Sequence, residues 1–174
     1  RDALRDFVSA SCKGKDEFTW RKFNRRLLPN DIYMPTVESE TIGEVVVAID
    51  TSGSIGPEEL KIFFSEIKGI MDSYTEYKIK VVGWDTEIGG IGEFTSENME
   101  DITNFDPKGG GGTDPTCVLD YIKQNSIKPE CIIILTDGEV GNDWGTDWPA
   151  PVLWVVAGRK DIVAPTGKTI YIND

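Results

Sequence analysis

Two short apolar runs limit what this chain can fold into. Val45 to Ile49 (VVVAI) and Cys131 to Leu135 (CIIIL) are uninterrupted and rich in β-branched residues, and an aspartate, Asp50 or Asp137, follows each within two residues. A strand with one wet face alternates apolar and polar residues. A strand apolar on both faces must be covered on both, as parallel strands of α/β sheets are. Neither run approaches the ~20 apolar residues that a membrane-spanning helix needs.

The rest of the chain supplies the covering. From Glu44 onward strand and helix signals alternate. After the first run comes PEELKIFFSEIKGIMDSY, with Pro57 in the first helical turn and two glutamates behind it. In that segment Leu60, Phe63, Phe64, Ile67, Ile70, Met71 and Tyr74 recur at helical spacing and form one stripe. Strands are predicted from Tyr77 (YKIKVVGW), Ile88 (IGGIGEF, glycine-interrupted and so at an edge), Cys131, Val152 (VLWVVA) and Lys168 (KTIYI). Helices are predicted from Ser96 (SENMEDI) and Pro115 (PTCVLDYIKQN). The expected fold is a three-layer α/β sandwich: a mostly parallel central sheet with one antiparallel edge strand and helices on both faces.

Residues 1–43 differ from residues 44–174, the expected main domain. They read as a short helix, with Leu4, Phe7 and Val8 at helical spacing, and then an extended arm. Trp20, Phe23, Leu27 and Leu28 of the arm are expected to dock on the main body. The chain opens on Arg1 rather than Met, which reads as a piece of a longer protein, with residues 1–43 as a linker or the tail of a missing upstream domain.

Charge and residue types exclude several functions. With 30 acidic against 18 basic residues the formal net charge is −12, which argues against nucleic acid or an anionic membrane as partner. The 174 residues include no histidine, which excludes Ser-His-Asp and Cys-His catalysis and imidazole-held zinc within this chain. Cys12, Cys117 and Cys131 are widely spaced and odd in number, and they read as reduced, mostly buried thiols of a cytoplasmic protein.

In parallel sheets ligands gather beyond the carboxyl ends of the strands. Three segments carry oxygen side chains there. Asp50 ends the first strand, with Ser52 and Ser54 at alternate positions behind it; Thr113 follows the run Gly109 to Gly112; Asp137 follows IIILT. An aspartate closing an apolar strand is costly to bury uncompensated. A hard divalent cation, which takes oxygen ligands and retains waters, would compensate it. Each signal alone has a plainer reading: serines that cap the next helix, a T-D-G turn, a flexible glycine loop. All three in this order are far rarer.

The constellation resembles the von Willebrand factor type A family, whose metal-ion-dependent adhesion site reads D-x-S-x-S, then Thr, then Asp. Asp50, Ser52, Ser54, Thr113 and Asp137 match that pattern residue by residue. The resemblance implies Mg2+ (or Mn2+ or Ca2+) held by these five, with one coordination position left for an Asp or Glu of a protein partner. A narrower likeness rests on Arg25 and Arg26 in the arm and on VVAIDTSGS, GGGGTD, ILTDG and PVLWVV. These are similar to the C-terminal part of bacterial and phage metallopeptidase-like proteins. That likeness implies a non-catalytic or regulatory appendage, with the missing upstream domain or an associated ATPase as further partners.

Asp114 and Asp85 are candidates to stand behind the ligands or to hold loops, and Glu139 is expected at the surface. Trp144 and Trp148, in NDWGTDWPA, are a candidate partner-binding rim, weighed against folding back on the protein. Trp154 is expected in the core and Trp84 at the end of its strand.

Enzymes are the rival class. Metal-bound water could hydrolyse a substrate, but no general base is placed for it. A dehalogenase-type phosphatase needs an acid where Ser52 stands. An aspartic protease needs D-T-G, and Ser52 interrupts it. A Walker loop needs a lysine that Gly112-Thr113-Asp114 lacks. A structural domain with a vestigial metal site is the third reading. The expected function is therefore a metal-dependent protein-interaction module without catalysis in this segment.

Overall fold

The computed structural model describes residues 2–12, 18–23, 35–37, 41–52 and 55–172; at 18–23, 35–37 and 41 the description is of backbone. Arg25, Arg26, Leu27, Leu28, Gly53 and Ser54 lie outside the described residues, as do the side chains of Trp20 and Phe23.

Elements follow the predicted order. Helix α1 (Asp2–Ser11) is followed by two short strands, β1 (Phe18–Phe23) and β2 (Pro35–Val37), paired antiparallel. This pairing replaces the simple extended arm expected there. Next come β3 (Thr41–Asp50), α2 (Pro57–Met71), β4 (Glu76–Trp84) and β5 (Ile88–Thr95). A 3-10 helix at Met99–Asn104 stands where a short helix was predicted. The chain then forms α3 (Thr116–Gln124), β6 (Cys131–Thr136), β7 (Val152–Ala157) and β8 (Lys168–Ile172).

Among the described residues these strands form a six-stranded sheet in the order β5-β4-β3-β6-β7-β8. All neighbours are parallel except β4 and the edge strand β5. The apolar run of β3 occupies the centre, with Val45–Ile49 beside Ile79–Gly83 on one side and Cys131–Leu135 on the other. Side chains alternate between two cores. Val45, Val47 and Ile49 pack with Ile133, Leu135 and the apolar stripes of α1 and α2. Val46 and Ala48 pack with Ile132, Ile134, Trp154 and the Val118 and Ile122 of α3. Helices on both faces make this the expected three-layer α/β sandwich.

Helix α1 belongs to the first of these cores. Its Leu4, Phe7 and Val8 are buried, together with Cys12 just past its end. The next strand in sequence after β3 lies on one side of it, whereas β6 lies on the other. The chain thus reverses its winding direction at β3, and the crevice beyond the carboxyl ends of β3 and β6 is where such sheets bind ligands.

Candidate metal site at the carboxyl edge of the sheet

Asp50 and Asp137 meet at that crevice. Asp50 is 1% exposed at the last position of β3. Its Oδ1 accepts the Ser52 amide at 2.9 Å, and its Oδ2 accepts the Thr136 hydroxyl at 2.8 Å. Thr136 is the last residue of β6 and shares the side-chain parity of Ile132 and Ile134, which points it at its neighbour on β3. Its oxygen in turn accepts the Gly138 amide at 3.1 Å. Asp137 is 8% exposed, and its Oδ1 accepts the Glu139 amide at 2.8 Å.

Burial pushes the Asp50 carboxyl above the ordinary carboxylate range, opposed by the Ser52 hydroxyl and amide and by the Thr136 hydroxyl. The charge on Asp137 adds to the upward push, so the two carboxylates are within electrostatic reach of each other. The Ser52 hydroxyl thus lies near enough to act on Asp50. Its oxygen is nevertheless buried and completes no hydrogen bond of normal geometry. A carboxylate buried in this way carries a desolvation cost that an oxygen-seeking cation would offset.

The glycine segment is held over the same edge from the side of β4. Thr51 fixes the loop after β3 to the end of β4, its amide and hydroxyl both donating to the Trp84 carbonyl, at 2.9 and 3.0 Å. Gly109 lies directly on Thr51, and a β-carbon there would overlap Thr51 Oγ1. Asp85 then gathers the segment. Its carboxylate accepts the amides of Thr86, Glu87 (2.8 Å), Gly110 (3.3 Å) and Gly111 (3.1 Å). These bonds, that from Glu87 foremost, hold its pKa below the ordinary value.

The Asp85 carbonyl accepts the Asp114 amide at 2.8 Å, which sets the position of half-buried Thr113 just before it. Asp114 is exposed, and its Oδ1 accepts the Thr116 amide at 3.0 Å and hydroxyl at 2.6 Å at the start of α3. Asp85 and Asp114 therefore organise the loop that carries Thr113.

Beside Asp137 the surface opens into a cavity of about 200 Å³ lined by Glu59, Glu139, Ala157, Gly158 and Arg159. Glu59 also accepts the Gly56 amide at 2.7 Å, closing the first turn of α2. Arg159 is paired through two nitrogens with Asp161, at 3.3 and 2.9 Å. Glu139 is exposed.

Trp144 and Trp148 are half-buried and stand edge-on to Trp154, with centroids 4.9 and 5.9 Å away. This is the fold-back arrangement weighed against the rim. Trp148 Nε1 donates to the Trp144 carbonyl at 3.3 Å and so closes the loop on itself.

The VWA-like domain family (DUF2201) matches residues 45–173, nearly the whole sheet and both site aspartates. The chain belongs to that family. An uncharacterized protein of Thermotoga maritima is 29% identical over 135 residues, covering 78% of this chain. The VWA-like chain spans 32% of that relative's length. Among solved structures, BatB, a conserved hypothetical protein of Bacteroides thetaiotaomicron, aligns with a TM-score of 0.48 and 18% identity over 68% of each chain. An aerotolerance-related membrane protein of Bacteroides fragilis aligns with a TM-score of 0.45 and 17% identity, over 65% of this chain and 66% of that one. Neither likeness bears on what this VWA-like domain binds.

Sequence reasoning assigned no role to Thr136 or Thr51. Side-chain parity along CIIILT was the available signal for Thr136, since it faces the same way as Ile132 and Ile134. Thr51 carried no signal, because its role depends on the approach of Gly109 from a distant loop.

Proposed function

We propose that this VWA-like domain is a protein-interaction module that binds Mg2+ through Asp50, Ser52, Ser54, Thr113 and Asp137 and offers it to a carboxylate of a partner. The observation that carries the reading is the buried carboxylate at the end of β3: Asp50 is 1% exposed, with the Ser52 and Thr136 hydroxyls and the charge of Asp137 around it. The donors are hard oxygens, which suit Mg2+ and, less selectively, Mn2+ or Ca2+. Among the described residues no cluster of three or more Cys, Asp or Glu is placed to hold a metal. A cation here would therefore rest on two carboxylates and on hydroxyls. That low ligand charge leaves the ion electrophilic toward an incoming anion. Ser54 enters by the sequence pattern alone.

In this reading the domain is the non-catalytic part of a longer protein. Peptidase chemistry with imidazole ligands would belong to another segment, because this chain has no histidine. A cytoplasmic location is part of the same proposal. Among the described residues no helix is long and apolar enough to cross a membrane.

Isothermal titration with Mg2+ and Mn2+ tests the metal site. Binding heat in the wild type that disappears in Asp50→Ala is expected. No heat from either protein would leave a structural domain with a vestigial site. Capture of a partner that EDTA releases tests the second half of the proposal.

A further inference from the structure

Two sulfurs far apart in sequence meet inside the core shared by α1, α2 and the sheet. Cys12, one residue past α1, and Cys131, the first residue of β6, place their Sγ atoms 3.5 Å apart across 119 positions of chain. Both residues are buried, at 3% and 0% exposure. Their contact is unequal. With Cys131 donating, the hydrogen bond pulls the Cys12 thiol below its ordinary pKa against burial and the Glu130 charge. The same bond, with burial, pushes Cys131 up. The two sulfurs are close enough for one to attack the other once either is oxidised.

We propose that Cys12 and Cys131 form a reversible oxidation site, closing to an intramolecular disulfide that staples α1 to the central strand β6. The sulfurs must approach by about 1.5 Å to reach bonding distance. The oxidant is a peroxide. The Cys12 thiolate attacks one oxygen of hydrogen peroxide and the O–O bond breaks. Cys12 becomes a sulfenic acid, and the hydroxide released takes a proton to leave as water. Cys131 then gives up its proton and attacks the Cys12 sulfur; the S–O bond breaks and a second water leaves. Two thiols have lost two electrons, and one peroxide has become two waters. Both sulfurs are shut in, so peroxide must reach them through local opening at the end of α1, where Cys12 lies one residue past the helix.

Cys117 provides an internal contrast. It lies on α3 against the opposite core, and burial, then the charges of Asp114 and Asp85, push its thiol up to about 12. It should remain a thiol where the pair reacts.

The chain is treated with a few equivalents of hydrogen peroxide, and free thiols are counted after denaturation. The count should fall from three to one, with a mass loss of two hydrogens and a proteolytic fragment joining Cys12 to Cys131. Dithiothreitol should restore all three. The oxidised form should melt roughly 5–15 °C higher, since the cross-link restricts the unfolded chain. Cys117→Ser should oxidise as the wild type does, whereas Cys12→Ala should gain no intramolecular link. A count that stays at three, a bridge through Cys117, or oxidation of Cys12 to sulfinic acid without a bridge would each overturn the proposal. The wild-type measurements decide it even if a variant fails to fold.

Discussion

Asp50 sets a carboxylate in a nearly dry site, and two effects compete there. Burial disfavours the charge, while the Ser52 and Thr136 donors favour it, and burial prevails. The sign for stability follows. A carboxyl whose folded pKa is raised contributes stability that is fully present below the unfolded value, about 3.9, and is lost as pH rises through the folded value. At neutral pH, without metal, the ionised group is therefore a burden. Asp50→Asn keeps an oxygen for the Ser52 amide and removes the charge. In metal-free buffer it should raise Tm by about 2–4 °C at pH 7, the gain shrinking on acidification. It should also abolish Mg2+ binding heat. Thermal melts across the acid range check this, and a lower Tm in Asp50→Asn would show that the donors outweigh burial. The placing of Asp50 and Asp137 at the carboxyl edge of the sheet was legible in the sequence, because each closes an apolar strand. The fold-back of Trp144 and Trp148 was anticipated as the alternative to a rim, while its contact with Trp154 was not, because a loop lacks the periodicity that fixes side-chain direction.

At the scale of elements, the buried strands and α2 were legible because their patterns are strong. Val45–Ile49 and Cys131–Leu135 are apolar on both faces, and Phe63, Phe64, Ile67, Ile70 and Met71 share the buried side of α2. The earlier start of β3, at Thr41, and the β1–β2 pair were not, since both rest on pairing with a distant partner. Two glycines separate local from tertiary control. Gly69 is exposed in α2 with open space around it, so Gly69→Ala should stabilise by about 0.5–1 kcal/mol through helix propensity alone. Gly109 is pressed against Thr51, itself fixed to Trp84, and the oxygen of Asp85 lies 3.3 Å from where a β-carbon would stand. Gly109→Ala should cost about 1–3 kcal/mol by overpacking. Displacement of Thr113 should also weaken Mg2+ binding about tenfold or more. Denaturant melts and Mg2+ titration of the two variants check the pair of signs. A neutral Gly109→Ala would mean that the glycine loop yields without disturbing the edge of the sheet.

For the whole molecule, the net charge of −12 and the proposed cation act through one equilibrium. An acidic surface repels the carboxylate that the site is proposed to bind, so the ion must supply the local attraction, and added salt should weaken that repulsion. A ligand that binds only the folded state stabilises it by an amount fixed by its concentration relative to its dissociation constant, about 2.7 kcal/mol at a hundredfold excess over Kd. For a chain of this length that corresponds to a Tm increase of roughly 5–10 °C. Mg2+ should produce such an increase at pH 7, EDTA should reverse it, and Asp50→Asn should show none. The increase should shrink as pH falls and protonation of Asp50, whose folded pKa is raised, competes with the ion. Scanning calorimetry at fixed ionic strength separates this from screening, because a monovalent salt at matched strength should leave Tm unchanged by comparison. Equal Tm gains from Mg2+ in the wild type and in Asp50→Asn would assign the effect to the acidic surface instead of to the edge of the sheet.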